Sequence, residues 1–216
     1  MKTFLKVRNY LFLAVLVAVP FLAQAQLSDS RFGIKGGVNF TNFYQSNVGQ
    51  QNIKTGFNAG LFAEIAVANQ FSIQPELLLT TKGNKTTYGQ SDGVLDLTGI
   101  QGENKFRLTY IEIPVLAKAT LGEILNIHVG PYASYLIGAG VSTQGSLGST
   151  YKDLSRSDFK TWDYGIAAGI GVDLEAVTIG ARYDLGLAKV GKSGVWNDIL
   201  KDNKNSALQV YIGVGI

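Results

Sequence analysis

The sequence contains no cysteine, a single histidine and only four prolines in 216 residues. Without cysteine no disulfide can form, so an exported chain of this kind is held together by hydrogen bonds and packing alone. After residue 25 no apolar run is long enough for a membrane-spanning helix, so any membrane crossing has to be made by strands.

The first 25 residues have the pattern of a secretory signal peptide. Lys2, Lys6 and Arg8 precede the apolar stretch Tyr10–Leu22, and Ala23-Gln24-Ala25 provides a small-x-small cleavage site. We therefore predict a signal peptide at residues 1–25 and one domain at residues 26–216. Without the leader, 16 basic residues face 16 acidic ones. The chain then lacks the basic excess of a nucleic-acid-binding protein, so no nucleic-acid partner is expected.

The stretch Tyr110–Gly138 has an apolar residue at nearly every second position on either side of a short turn at Leu121–Glu123. Alternation with period two is typical of β-strands, because successive side chains point to opposite faces. Each of the two strands is predicted to run for about a dozen residues, roughly the length that a tilted strand needs to cross a bilayer. Glycine, phenylalanine and tyrosine are abundant, as in many β proteins.

Six further segments alternate in the same way and bring the predicted strands to eight. They are Arg31–Thr41, Thr55–Val67, Phe71–Lys82, Thr161–Leu174, Val177–Ala188 and Ala207–Ile216. The connections alternate between long polar stretches (42–54, 83–105, 141–160 and 189–206) and tight turns. This layout predicts an all-β, eight-stranded antiparallel up-and-down transmembrane barrel of the outer membrane, with both termini periplasmic and the long loops extracellular.

One face of each predicted strand is apolar, and the other carries nearly all the charge. A soluble eight-stranded barrel would point the apolar face inward, whereas a membrane barrel points it at lipid. The uncharged face on every strand favours the membrane barrel. The charged residues are then predicted to form an ionic network in the lumen: Lys35, Glu64, Glu76, Lys82, Glu112, Lys118, Asp173, Arg182 and Asp184, with Asp163 on the same face.

Charges inside so narrow a barrel have to pair, because an unpaired buried charge is very costly. Lys35 and Glu64 are predicted to pair first, on adjacent strands, and Arg182 to reach Glu76 or Glu112 across the lumen. Since eight strands leave a lumen that side chains fill, a salt-bridged plug is favoured over a solute path. Pro75, Pro114 and Pro131 fall inside predicted strands, where they cannot donate to the ladder, and predict bulges or kinks.

Several short motifs occur together in one order. They are Gly33-Ile34-Lys35-Gly36-Gly37-Val38-Asn39, Gln74-Pro75-Glu76-Leu77, Lys82-Gly83, Tyr110-Ile111-Glu112-Ile113-Pro114 with Lys118, Gly130-Pro131-Tyr132, Asp163-Tyr164-Gly165 with Gly169, and Arg182-Tyr183. In this the chain resembles the PorT-like outer-membrane β-barrel family, often labelled "porin family". The resemblance covers the whole mature chain and implies an eight-stranded barrel in a Gram-negative outer membrane. Such barrels commonly end in an aromatic residue, whereas this chain ends in Ile216.

Functionally, the sequence predicts a non-enzymatic outer-membrane barrel whose long loops are candidates for binding a partner or ligand. The alternatives are a narrow porin for small solutes and an accessory barrel of a protein secretion system. His128 is expected to be an interior hydrogen-bonding residue, and Asp92, Asp96 and Glu103 lack the spacing of a calcium loop. We predict no catalytic residue, metal or cofactor. The expected partners are outer-membrane lipid, the barrel-assembly machinery and an unidentified extracellular or periplasmic protein.

Overall fold

Eight long strands form a closed ring in the computed structural model, which describes residues 30–44, 51–88, 102–145, 148–153, 160–189 and 203–216. The predicted signal peptide, residues 1–25, lies outside these ranges. The ring strands are β1 (Arg31–Tyr44), β3 (Lys54–Ala68), β4 (Phe71–Lys82), β6 (Gly102–Leu121), β7 (Leu125–Gly145), β9 (Trp162–Leu174), β10 (Val177–Lys189) and β11 (Lys204–Gly215). Three short strands accompany them: β2 (Gln51–Asn52), β5 (Lys85–Tyr88) and β8 (Gly148–Asp153).

Every ring strand pairs antiparallel with both of its neighbours, in the order β1-β3-β4-β6-β7-β9-β10-β11. Strand β11 returns to β1 in one register, from Gly33 opposite Gly215 to Tyr44 opposite Lys204. Closure therefore leaves the ring without an edge strand. The predicted eight-stranded up-and-down barrel is confirmed. No helix in the described residues is long and apolar enough to cross a membrane.

Three tight turns lie at one end of the ring, at Asn69-Gln70, Gly122–Ile124 and Glu175-Ala176. Gly122 and Glu175 have φ of 69° and 49°, the left-handed conformation that such turns need. The chain enters and leaves the ring at this same end, where the amide of Phe32 donates to the carbonyl of Ile216 at 3.1 Å. The strand ends that the long connections join therefore lie at the opposite end of the ring, the long-loop end.

The strands present an apolar surface outward and a polar surface inward. Side chains such as Ile34, Leu61, Ile113 and Ile170 are exposed, although they are large and apolar. The alternating positions between them are buried and mostly polar or charged. An apolar exterior around a polar interior is what a barrel surrounded by acyl chains requires. The structure therefore has the membrane polarity and not that of a soluble barrel.

The three strand prolines do not shift the register, so the bulges predicted at Pro75, Pro114 and Pro131 are wrong, whereas the alternative of local kinks stays a prediction. Along β6 and β7, pairing is interrupted after Pro114–Tyr132 and resumes at Ala117–Val129 in the same register. The pairing of β3 with β4 likewise skips the position of Pro75 and resumes unchanged. Only the local ladder is lost, because a missing N–H removes one bond without adding a residue. The register shifts lie elsewhere, between Thr109 and Tyr110 in the β6–β7 pairing, for example.

The sheet rises higher on one side of the barrel than the sequence predicted. Strands β6 and β7 are 20 and 21 residues long, not about a dozen, and they extend into the predicted loops 83–105 and 141–160. Strand β5 continues the register of β4 against β6 beyond the break at Gly83-Asn84. We call β2, β5, β8, residues 102–108 of β6 and residues 139–145 of β7 the raised wall. It stands at the long-loop end.

Candidate functional site: the ionic network of the lumen

The charged residues of the network lie inside the ring because they occupy the inward positions of alternating strands. One or two come from each of β1, β3, β4, β6, β9 and β10: Lys35, Glu64, Glu76, Lys82, Glu112, Lys118, Asp173, Arg182 and Asp184. All are buried except Asp173, which is half-buried near the tight-turn end. Their contacts form three clusters along the barrel axis.

The central cluster is built around Glu76. Its carboxylate accepts from Lys35 Nζ at 3.1 Å and from Arg182 Nη1 at 2.8 Å, while Gln74 donates to it at 2.7 Å. Arg182 also donates to Gln209 at 2.9 Å, and Gln209 donates in turn to Asp184 at 2.5 Å. Strands β1, β4, β10 and β11 are thereby connected across the lumen. Charge-assisted hydrogen bonds of this kind are the strongest that side chains make.

The second cluster lies towards the long-loop end and is built around Lys82. Its Nζ is 2.6 Å from Glu112 Oε2 and 3.5 Å from Asp163 Oδ2. Ser134 donates to the same oxygen of Glu112 at 2.9 Å. The ammonium also lies 4.2 Å from the ring centre of Tyr132, a cation–π contact. A single lysine is thus held by two carboxylates and an aromatic face.

The third cluster closes the tight-turn end. Glu64 contacts Arg31 Nη2 at 2.6 Å and Lys118 Nζ at 2.9 Å, and Lys118 reaches Asp173 at 3.0 Å. Thr178 donates to Asp173 at 2.6 Å. The side chains of this cluster connect β1, β3, β6, β9 and β10 across this end of the lumen.

The predicted pair of Lys35 and Glu64 does not form, which corrects the sequence-based assignment. Lys35 stands opposite Gly60 on β3, and Glu64 stands opposite Arg31. Four strand residues separate the two levels, roughly 13 Å at the usual rise. Glu64 therefore meets Arg31, and Lys35 reaches past its neighbour to Glu76. Of the two partners predicted for Arg182, the structure places Glu76 in direct contact.

Sequence reasoning missed the contributions of Arg31 and of the neutral amides. Arg31 shares its strand face with Lys35, so the same alternation would have placed it inside. Gln74 and Gln209 are buried and connect the ions of the central cluster. The sequence pattern of these two amides was less informative, because an inward position does not indicate which residue a polar side chain contacts.

The inward aromatic rings pack against glycines on neighbouring strands. A Cβ added to Gly180 would lie 2.6 Å from the ring of Tyr211, and one added to Gly33 would lie 2.6 Å from Phe62. A Cβ added to Gly165 would lie 2.8 Å from the ring of Tyr132. Many inward glycines are therefore places where a ring occupies the space of a missing side chain.

His128 is buried and has two neutral hydrogen-bonding neighbours. Its Nδ1 is 3.0 Å from Asn126 Oδ1, and its Nε2 is 3.4 Å from the hydroxyl of Tyr211. In the described part of the chain no carboxylate or serine contacts the ring within hydrogen-bond distance. A general base needs such an orienting partner. Nor do the described residues contain a group of His, Asp and Glu side chains arranged to hold a metal ion.

Among solved structures, the chain is similar to three outer-membrane or surface proteins. Ail, the attachment invasion locus protein of Yersinia pestis, solved with sucrose octasulfate, has 13% identity and a TM-score of 0.47, over 87% of this chain and 99% of that one. Neisserial surface protein A has 14% identity and a TM-score of 0.48, over 85% and 96%. A major outer membrane protein of Thermus thermophilus has 12% identity and a TM-score of 0.44, over 87% of this chain and 100% of that one.

No curated protein sequence matches the chain. The model of the family described as "Outer membrane protein beta-barrel domain" matches residues 23–191. That range takes in the strands from β1 to β10 and most of the inward charges described above. The chain therefore belongs to the outer membrane protein beta-barrel domain family.

Proposed function

We propose that this protein is a closed, non-catalytic outer-membrane barrel that acts through its long-loop end and not by passing solute through its lumen. The observation that carries the proposal is the central cluster. Lys35 and Arg182 both contact Glu76 across the ring, and the three residues are 4%, 1% and 3% exposed, respectively. A barrel of eight strands is just wide enough for such side chains to fill it.

The balance of charge in the lumen supports the same proposal. Five cations and six carboxylates occupy the three clusters. A selective channel usually presents a ring of one sign to the ion that it passes. Here cations and carboxylates alternate and neutralise one another, an arrangement that suits a structural plug.

We further infer that the tight-turn end and both chain ends face the periplasm, and that the long loops face the exterior. Short periplasmic turns and longer external loops are the general layout of such barrels. The expected partners are outer-membrane lipid, the barrel-assembly machinery during biogenesis, and a protein or ligand at the loops. A narrower PorT-like role, as an accessory barrel in secretion, is the alternative that crosslinking and co-purification would identify.

The orientation can be tested with epitope tags on intact cells. A tag inserted between residues 89 and 101 should be reached by antibody without permeabilisation. A matched tag in the turn at Gly122–Ile124 should be reached only after the outer membrane is opened. The reverse result would contradict the proposed orientation.

Closure of the lumen can be tested in planar bilayers. The purified folded protein should give no stable conductance steps. The triple variant Lys35→Ala, Glu76→Ala, Arg182→Ala removes the central carboxylate together with both of its cationic partners. When gel migration shows that this variant is folded, it should give small conductance steps. Large, stable steps from the unaltered protein would instead support the narrow porin.

A further inference from the structure

The outward face of β6 changes its chemistry where the strand enters the raised wall. Val115, Ile113 and Ile111 are exposed and apolar, and the next outward residues are Thr109, Arg107 and Lys105. The alternation along β6 is unbroken, because its register against β4 and β5 stays constant. Arg107 thus lies about 7 Å beyond Thr109 along the strand. The basic residues begin where the apolar surface ends.

A cavity of about 540 Å³ lies at this level and is lined by cations. Its walls include Lys54, Lys85, Lys105 and Arg107, together with Ser142 and Gln144. None of the described residues that line it carries a carboxylate. We call it the wall pocket. A cavity of this volume is in the range that holds a small ligand or a headgroup.

Among the side chains that the structure describes, Glu103 is the carboxylate beside the wall pocket. It forms an ion pair with Lys85 and another with Lys105, whose Nζ is 2.7 Å from Oε1. The hydrogen bonds from Lys105 and Lys85 hold the pKa of Glu103 below its usual range. Four cations and this single carboxylate leave the region with a net charge of plus three over the described side chains. Glu103 offsets only part of the positive charge.

Lys54 is the residue whose surroundings point most directly to an anion. It is 6% exposed, and no carboxylate among the described residues lies within ion-pair distance of it. Burial, and then the charge of Arg107, lower the pKa of Lys54 to about 8. A buried ammonium without a counter-charge is costly. An anion in the wall pocket would supply that counter-charge to both Lys54 and Arg107.

We propose that the wall pocket binds the phosphate monoester of an anionic lipid in the adjoining leaflet. A phosphate monoester carries up to two negative charges and three acceptor oxygens, enough to engage an arginine fork and several ammonium groups at once. The pocket exceeds the volume of one phosphate, so the sugar or glycerol that bears it also fits. Basic clusters next to a membrane-embedded surface attract anionic headgroups.

The position of the pocket favours a lipid over a soluble phosphate. Lys105 and Arg107 lie on the same face of β6 as Ile111 and Ile113, which face acyl chains in a membrane barrel. A lipid whose chains lie along that apolar face would bring its headgroup to Arg107. The inference does not depend on whether the lumen conducts, so the conductance test can fail without affecting it.

The proposal can be tested by calorimetry on the folded barrel in detergent micelles. The probes are dihexanoyl phosphatidic acid, dihexanoyl phosphatidylcholine and glycerol 3-phosphate. We expect phosphatidic acid to bind roughly tenfold or more tightly than the other two, since the pocket holds several cations and each favours an anionic headgroup. Glycerol 3-phosphate at equal affinity would show a soluble-phosphate site and overturn the lipid assignment.

Variants identify the pocket as the site. The double variant Lys54→Gln, Arg107→Gln should lose at least about tenfold in affinity for phosphatidic acid. Lys160→Gln removes one exposed charge from the same end of the barrel, outside the pocket lining, and should change affinity by less than about twofold. Gel migration checks that each variant is folded. Equal affinity of the double variant and Lys160→Gln would overturn the proposal.

Discussion

The lumen and the raised wall use the same kinds of charged residue but pair them differently. In the lumen each cation of the three clusters contacts a carboxylate, and neutral amides donate to several of the carboxylate oxygens. Around the wall pocket four cations line a cavity, and Glu103, the carboxylate described beside it, pairs with only two of them. The buried interior favours internal pairing, because an ion removed from bulk water is costly unless it is paired. The wall lies beyond the apolar belt and can leave charge for a ligand.

The largest effect is expected from breaking the central cluster. Glu76→Gln removes the carboxylate from both Lys35 and Arg182 and leaves two buried cations poorly compensated. The free energy of unfolding should fall by roughly 3–5 kcal/mol. The measurement is urea unfolding in lipid or detergent, followed by the gel migration of folded and unfolded chains.

Glu123→Gln is the control for that measurement, because Glu123 is exposed in the tight turn between β6 and β7. It should change the unfolding free energy by less than about 0.5 kcal/mol. Equal stability of the two variants would show that the ion pairs of the lumen contribute no more to stability than a surface charge does. The lumen would then not differ from the raised wall in its need for internal pairing.

A smaller effect is expected from overfilling the lumen. Gly180→Val places a side chain where the ring of Tyr211 lies 2.6 Å from the added Cβ. The unfolding free energy should fall by about 1–3 kcal/mol, measured as before. Gly36→Val is the matched control, since a Cβ at Gly36 has only the carbonyl oxygen of Asn58 within 4 Å, at 3.8 Å. Equal losses would mean that the lumen is not densely filled.

Removing the carboxylate of the raised wall should affect binding more than stability. Glu103→Gln breaks two partly exposed ion pairs, so the unfolding free energy should change by about 0–1 kcal/mol. Affinity for dihexanoyl phosphatidic acid should rise a few-fold, because Lys85 and Lys105 lose their internal competitor. Calorimetry measures the rise. Weaker binding in the variant would indicate that Glu103 positions the lysines and does not compete for them.

The smallest effect is a dependence of binding on pH. Because burial lowers the pKa of Lys54 to about 8, the residue loses its proton near that pH, whereas a bound anion favours the protonated form. Affinity for phosphatidic acid should therefore fall a few-fold as the pH rises from 7 to 9, and binding near pH 8 should take up protons. Among the described side chains, the other charged groups around the pocket are Lys85, Lys105, Arg107 and Glu103.

Lys54→Arg supplies the control for the pH dependence, since arginine stays protonated throughout this range. The variant should bind the lipid with a flatter pH profile than the unaltered protein. An identical profile in both proteins would assign the dependence to another group and remove Lys54 from the site.

Alternation predicted the strand faces but not which charges meet. Every residue assigned outward on β6 and β7 between Ile111 and Ile137 lies outward, because the period of two is a local property of an extended chain. The partner of Lys35 depended on the register of β3, which places Gly60 and not Glu64 opposite it. The alternation of one strand contains no information about its register against another.

The same limit explains the errors at the prolines and in the loops. Pro114 and Pro131 lie on paired strands, and closed pairing on both sides keeps the register although a hydrogen bond is missing. Residues 85–88 and 102–105 look like loop in isolation, because their composition is polar. They form strands because β4 and β6 already run side by side and the ladder continues beyond Lys82.

The sequence alone determined the number of ring strands, the location of the tight turns together at one end of the ring, and the apolar exterior and polar interior of the barrel. These features follow from local alternation and turn composition. The tertiary structure decided the three ionic clusters, the rings over glycines and the raised wall with its pocket. Each of these depends on how strands distant in sequence are aligned. That alignment is fixed only when the ring closes and every strand has two neighbours.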